Sequence, residues 1–380
     1  MSAPSEEELR EVRDSVRRYA AEELAPHAAR WDRDKEFPRE ALKGLAAMGL
    51  YAVAVPEEWH GAGLGYRALA VACEEISAGD CATATIVSVN NLVAGILAGY
   101  GSQEQKERFL KPLARGETIG AFALTEPHVG SDASAITTRA ERQGGHYVIN
   151  GVKQFITSGK NADIAVVFAV TSKDAGKRGI SAFVVPTETK GYVVARIEDK
   201  TGQRASDTAQ IVLENCKVPA ENLLAQEGVG YRIALGNLES GRINVAAQAT
   251  GVARAAFEAA LSYSRERKSM GKRLIEHQAV NFRLADMATG IEAGRQLYLH
   301  AAALRDAGKP CIKEASMAKL FASEMAERVC SDAIQIHGGY GYVSDFPVER
   351  LWRDVRVTQI YEGASDIQRL VIGRALEDGA

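Results

Sequence analysis

Two short stretches of the chain hold residue types whose spacing suits chemistry. The first is Tyr361-Glu362-Gly363-Ala364-Ser365-Asp366-Ile367-Gln368. Ser365 and Gln368 fit a capping box, which predicts a helix beginning just after Ser365. Glu362 then lies on the loop ahead of that helix. Its neighbour Gly363 leaves room for a ligand to approach the backbone and has an N–H that can donate. A carboxylate so placed can act as a general base once an apolar ligand excludes water. The same residues also read as a surface glutamate near the positive end of a helix dipole.

The second stretch is Ala121-Phe122-Ala123-Leu124-Thr125-Glu126-Pro127-His128-Val129-Gly130-Ser131-Asp132. A strand runs into Pro127, which cannot continue a ladder, and on into a Gly-Ser-Asp loop. Backbone N–H groups there, with the hydroxyls of Thr125 and Ser131, suit a polar planar ligand or a phosphate. A plain strand-ending turn would have the same sequence. Other familiar motifs are missing. Gly61-Ala62-Gly63-Leu64-Gly65 lacks the third glycine of a dinucleotide loop and reads as a flexible surface turn. The chain has no Walker loop, no His-Glu-x-x-His and no Gly-x-Ser-x-Gly. Cys73, Cys81, Cys216, Cys311 and Cys330 are widely spaced, which predicts reduced thiols and no metal site. Any nucleotide cofactor would bind without a Rossmann fold.

The elements that must position these stretches fall into three regions of different period, predicting an α+β fold. Residues 1–117 read as an N-terminal α-helical domain. It has an amphipathic helix from Glu6 to Glu23 that stops before Pro26, a second near Arg39 to Met48, an apolar helix after Cys81 and a charged one from Gln103 to Leu113. Residues 118–227 read as a middle antiparallel β-domain. Its strands include Gly120–Leu124, Ala162–Val170, Gly179–Pro186, Gly191–Ile197 and Ala209–Val218. Between His146–Ile149 and Val152–Thr157, Asn150-Gly151 predicts a two-residue hairpin turn. Residues 228–380 return to helical period and read as a four-helix bundle. Gly308-Lys309-Pro310 separates its second helix from a third running from Cys311 to Ile336, and a fourth begins at Asp366.

Composition narrows the function classes. The 380 residues are 46% apolar and 25% charged, with a formal charge of −3. Disordered, collagenous and disulfide-scaffold proteins are excluded, and the near-neutral balance argues against nucleic acid. The first residues have no secretory pattern. Cys81 to Gln103 carries no charge, yet it holds Thr83, Thr85, Ser88, Asn90, Asn91 and Ser102. It reads as a buried helix of a soluble enzyme, not a membrane span.

With these segments in view, the sequence resembles the acyl-CoA dehydrogenase family over essentially its whole length, most of all the short-chain and bacterial members. The resemblance rests on Pro56-Glu57-Glu58, the 125–132 stretch and Phe155-Ile156-Thr157-Ser158-Gly159. It continues through Arg267-Lys268-Ser269-Met270-Gly271-Lys272, His277-Gln278, Gln335-Ile336-His337-Gly338-Gly339 and Tyr361-Glu362-Gly363. It implies a tetramer, possession of FAD, and the same order of helical, β and helical parts. Phe122, Leu124, Thr125, Gly130, Ser131, Phe155, Ile156 and Thr157 would hold the isoalloxazine and ribityl part. Arg267, Ser269, Gln278, Gln335, Gly338 and Gly339 would hold the adenine-dinucleotide half, partly from a neighbouring subunit. Ala364 and Asp366 would also border the cofactor.

The implied reaction is α,β-dehydrogenation of an acyl-CoA of short to medium chain. Glu362 would take the α-proton while the β-hydrogen leaves as hydride to the flavin N5, and electrons pass on to electron-transfer flavoprotein. Ser131, Glu239, Arg242 and Gly363 would contact the substrate. The family's second base location falls at Gly241, which cannot act as a base. Two positions depart from the family pattern. Ala364 replaces the usual hydroxyl residue and implies weaker FAD retention, and Phe155 replaces a frequent Trp. An oxidase or nitroalkane-oxidising relative using dioxygen, and a non-catalytic helical interaction protein, are the alternatives. The resemblance implies a bacterial cytoplasm or a mitochondrial matrix as compartment.

Overall fold

The computed structural model describes residues 4–377. Its N-terminal helices are α1 (Glu6–Tyr19), α2 (Ala25–Asp34), α3 (Arg39–Ala47), α4 (Gly65–Gly79), α5 (Cys81–Tyr100), α6 (Gln103–Gln105) and α7 (Lys111–Ala114). Ser5 and Glu8 close a capping box at the head of α1. Pro26 does not end the helix as expected. A π-helical turn, Ala20–Leu24, joins α1 to α2 and puts Pro26 in the first turn of the next segment, where no N–H is needed.

α4 was not foreseen, and it lies deep in the core: most of Ala68–Ser77 is buried. The glycines before it are packed rather than loose. A Cβ on Gly61 would lie 2.1 Å from the Val55 carbonyl oxygen. The Asp306 carboxylate accepts from the Tyr66 and Arg67 N–H groups at 2.6 and 3.0 Å, tying the start of α4 to the bundle.

α5 is the one helix among the described residues long and apolar enough to cross a membrane, with mean hydropathy 1.6, and 78% of that stretch is buried in the protein. Its polar groups are bonded inside. Asn90 Oδ1 accepts from Gly120 N and Asn91 Oδ1 from Val53 N, both at 2.9 Å.

The middle region holds β1 (Gly120–Ala123), β2 (Arg139–Gln143), β3 (His146–Thr157), β4 (Ile164–Val170), β5 (Ile180–Pro186), β6 (Tyr192–Ile197) and β7 (Thr208–Pro219). The sheet runs β1-β4-β2-β3-β7-β6, with β5 also on β4. It is mixed, not wholly antiparallel, because β1 and β2 pair parallel with β4. Asn150-Gly151 is not a turn. β3 runs through it, and a register shift there lets the long β7 pair with both of its halves. Asn150 Oδ1 accepts from Asn215 N at 2.7 Å across that bulge. The hairpin turn is Gly144-Gly145, between β2 and β3, with Gly144 left-handed at φ +60°.

The C-terminal region holds α8 (Gly230–Glu266), a small hairpin of β8 (Lys268–Ser269) and β9 (Lys272–Arg273), α9 (Gln278–Asp306), α10 (Ile312–His337), α11 (Val348–Val355) and α12 (Ser365–Glu377). At 37 residues, α8 extends about 55 Å. It is the common frame of the molecule. Its first turn packs on the backbone of β5 at Gly230, its middle packs on α4 and α5, and its side faces α10. All five cysteines are free and buried.

Candidate active site

The loop into α12 has an unusual backbone. Ile360 N and Tyr361 N both donate to Val357 O, at 2.8 and 3.1 Å, which closes the preceding turn. Glu362 and Gly363 are then successively left-handed, at φ +53° and +89°. A non-glycine residue there is strained and persists only where its surroundings fix it. Here they do. The Tyr361 hydroxyl donates to Gln248 Oε1 at 2.8 Å. Lys319 Nζ and Gln368 Nε2 each donate to Gly363 O at 2.7 Å, and Gln368 Nε2 also reaches Glu362 O at 3.1 Å.

The expected capping box therefore does not form. Gln368 is committed to the carbonyls that the left-handed turn directs inward, and Ser365 Oγ is enclosed without a partner. Ala364 stands at the cap, its carbonyl accepting from Gln368 N at 3.0 Å. Among the described residues nothing accepts from the N–H groups of Glu362 or Gly363, so both can donate outward.

The Glu362 side chain points at α8. Its Oε2 is enclosed without a hydrogen-bond partner, and a Cβ built on Gly241 would stand 2.5 Å from it. Burial raises the carboxyl above its ordinary range, while the nearby cations of Arg242 and Lys319 pull it back. Arg242 is buried, with Nη1 at 3.3 Å from Ser316 Oγ and Nε unpaired. Burial pushes the Lys319 ammonium down to about 8, and Glu362 opposes that shift. A carboxylate flanked by two buried cations, with one oxygen free, can take a proton from a ligand against Gly241.

The strand-ending stretch forms a second cradle. Glu126 and Val129 exchange backbone hydrogen bonds at 3.0 Å, closing a tight loop before Gly130 and Ser131, both exposed. The Glu126 carboxylate holds the chain beyond it, accepting from Thr137 N and Thr137 Oγ1 at 2.7 Å and from Thr138 N at 2.9 Å. Lys153, buried in β3, donates to Glu126 Oε1 at 2.9 Å and to Leu124 O at 3.0 Å. Those contacts hold the Glu126 carboxyl down near 2. The β3 register shifts again between Lys153 and Ile156. Phe155 there is left-handed at φ +58°, and its ring is 63% exposed. Gln154 N donates to Thr125 O at 2.8 Å, so this bulge and the Thr125 loop lie together. Phe122 instead packs inward, edge-on to Phe168 at 5.0 Å.

The remaining expected residues are dispersed. Arg267, Ser269 and Gln278 are exposed around the far end of α8, where the His337 ring stacks on Tyr263 at 4.4 Å and brings Gln335, Gly338 and Gly339 alongside. Twenty-six residues separate Gly241 from Arg267, about 39 Å of helix. Asp366 is exposed and Ala364 half-buried on the Glu362 loop. Glu239, expected against the substrate, is held by Arg305 Nη1 at 2.6 Å.

Lys319, Gln368 and Lys153 were missed. Lys319 does leave a trace in the sequence, as a lone cation on an α10 face of Ala315, Ala318, Ala322 and Ala326.

Comparison with known proteins now bears on this geometry. The acyl-CoA dehydrogenase N-terminal, middle and C-terminal domains match residues 6–117, 121–216 and 228–377. An acyl-CoA dehydrogenase of Bacillus subtilis is 46% identical, over 97% of each chain. The solved butyryl-CoA dehydrogenase of Megasphaera elsdenii is 40% identical, with TM-score 0.96, over 99% of this chain and 100% of that one. A chain from a structure described as the electron transferring flavoprotein of Acidaminococcus fermentans is 44% identical, with TM-score 0.96, over 99% of each.

Proposed function

The chain belongs to the acyl-CoA dehydrogenase family, and on that premise we propose that Glu362 is the general base of an FAD-dependent α,β-dehydrogenation of a short acyl-CoA. One observation carries the reading: the unpaired Glu362 Oε2, against Gly241 and between Arg242 and Lys319. The short chain follows the butyryl-CoA dehydrogenase relative.

The residues present fit FAD. The exposed Phe155 ring, fixed on a left-handed bulge beside the Thr125 loop, offers a flat apolar surface. Leu124, Thr125, Gly130, Ser131, Ile156 and Thr157 lie on the Thr125 loop and the β3 bulge, which are joined through Gln154 N and Thr125 O, and would hold the isoalloxazine side. When bound, FAD supplies the two-electron acceptor for the β-hydrogen. The chain does the rest. The Glu362 and Gly363 N–H groups are free to polarise a thioester carbonyl, which acidifies the α-carbon. Glu362 receives the α-proton, and the Arg242 and Lys319 cations steady its ionised form beforehand. Lys319 and Gln368 keep the loop in its left-handed turn. Glu239, paired with Arg305, helps set the position of α8 against α9 rather than meeting CoA.

Arg267, Ser269, Gln278, Gln335, Gly338 and Gly339 would take the adenine-dinucleotide half. About 39 Å of α8 separates them from Gly241, more than one FAD spans, so this half belongs to the site of another copy. That supports a homo-oligomer, with a tetramer as the assembly. The electron acceptor is an electron-transfer flavoprotein, in line with the Acidaminococcus neighbour.

The test is anaerobic mixing with butanoyl-CoA. Wild type should bleach its flavin and reoxidise slowly in air, whereas rapid peroxide release would make it an oxidase. Glu362→Gln should keep FAD and acyl-CoA binding and lose about 10²–10⁴-fold in the reduction rate. Reduction at the wild-type rate would overturn the assignment.

A further inference from the structure

Between α4, α5 and α8, ten residues enclose a small cavity, among them Tyr66, Leu92, Gly95, Asn237, Ser240 and Asn244. The last three lie on α8 around Gly241, the residue Glu362 packs against. Four residues of helical rise put Asn237 about 6 Å from Gly241. The part of an acyl group beyond the reacting carbons would enter here, an inference that rests on the acyl-CoA reading above.

The lining is polar without being charged. Asn237 is 8% exposed, and its Nδ2 donates to Ile233 O at 2.8 Å. A carbonyl can only accept, so this bond fixes the other amide atom as oxygen. That Oδ1 faces Gly95, where an added Cβ would lie 3.8 Å from it. No donor among the described residues reaches it, and because it opens on the cavity, a chain end that displaces water from it leaves it unmet unless that end can donate. The Ser240 hydroxyl is committed to Asn237 O at 2.8 Å, and Asn244 Nδ2 to Ser88 Oγ at 3.2 Å. No charged side chain lines the cavity, so a terminal carboxylate would be buried there without a counter-ion. A plain alkyl end would leave Oδ1 unmet.

We propose that this cavity selects a short acyl-CoA whose chain carries a neutral hydrogen-bond donor, a hydroxyl or an amide N–H, near its end. Asn237 Oδ1 is the acceptor, and Gly95 leaves the space for the donor to reach it.

Four thioesters of matched length test this on the FAD-loaded enzyme. They are hexanoyl-CoA, 5-oxohexanoyl-CoA (acceptor only), 4-carbamoylbutanoyl-CoA (terminal amide donor) and glutaryl-CoA (carboxylate). The carbamoyl compound should exceed hexanoyl-CoA and 5-oxohexanoyl-CoA in kcat/KM by about tenfold, and glutaryl-CoA should be poorest. Asn237→Leu should reverse the order in favour of hexanoyl-CoA. Should that variant fail to fold, Gly95→Ala narrows the same spot without a clash and should lower the carbamoyl preference. A wild-type preference for hexanoyl- or 5-oxohexanoyl-CoA would overturn the proposal, as would a carbamoyl preference that survives the substitutions. Failure of all four, with butanoyl-CoA also inert, would instead remove the acyl-CoA reading beneath it.

Discussion

Glu126 and Glu362 each stand on a tight loop, one after β1 and one ahead of α12. Around Glu126, four donors converge on the carboxylate and hold its carboxyl near 2. Around Glu362, one oxygen has no donor and burial moves the carboxyl upward. The first is a structural anchor, ionised and fully met at any working pH. The second keeps an acceptor open, at a cost in stability. Burial alone does not tell the two kinds of carboxylate apart; the count of donors does.

The sharpest way to break this contrast is to remove each carboxylate. Glu126→Ala leaves Lys153 buried and unpaired and should cost about 3–5 kcal/mol in denaturant unfolding. Glu362→Gln should cost no stability while losing the chemistry. Equal stability losses in the two variants would erase the distinction. Acid titration asks the same of the wild type. The Glu126 folded-state pKa, near 2, lies below its unfolded value, so its contribution is fully present above about 4.3 and is lost as the pH falls through 2.

A smaller effect should follow at Lys319. Lys319→Met removes a cation that favours ionised Glu362, so the acid limb of the flavin-reduction profile should move to higher pH. An unmoved profile with only reduced stability would make Lys319 a brace like Lys153. The smallest effect is expected at Ala364. Threonine is a better cap than alanine, so Ala364→Thr should stabilise the protein by about 1 kcal/mol and tighten FAD binding. Calorimetry and cofactor titration read these separately.

Glu362 and the 125–132 loop were legible in the sequence because both depend on local residue order: a Pro, a Gly-Ser-Asp turn, a glycine ahead of a helix. The α5 segment was legible because its polar groups were too many for lipid. What failed depended on distant partners. Asn150-Gly151 has the local chemistry of a turn, but the twelve-residue β7 pairs on both sides of it, and a bulge was the cheaper solution. Ser365 and Gln368 have cap spacing, but Lys319 approaches from α10 and Gln368 joins it on the Gly363 carbonyl. Pro26 stopped a helix on paper because a π-helical turn cannot be read from propensity. The Arg305 partner of Glu239, 66 residues away, was likewise beyond local reading.

The length of α8 has a thermodynamic consequence under the shared-site reading. If each FAD is held by one chain through Phe155 and by another through Arg267, cofactor binding and subunit association are linked equilibria. Dilution would then release FAD, and added FAD would tighten the assembly by the same free energy. Cofactor occupancy would become a function of protein concentration, set by the 37 residues of a single helix.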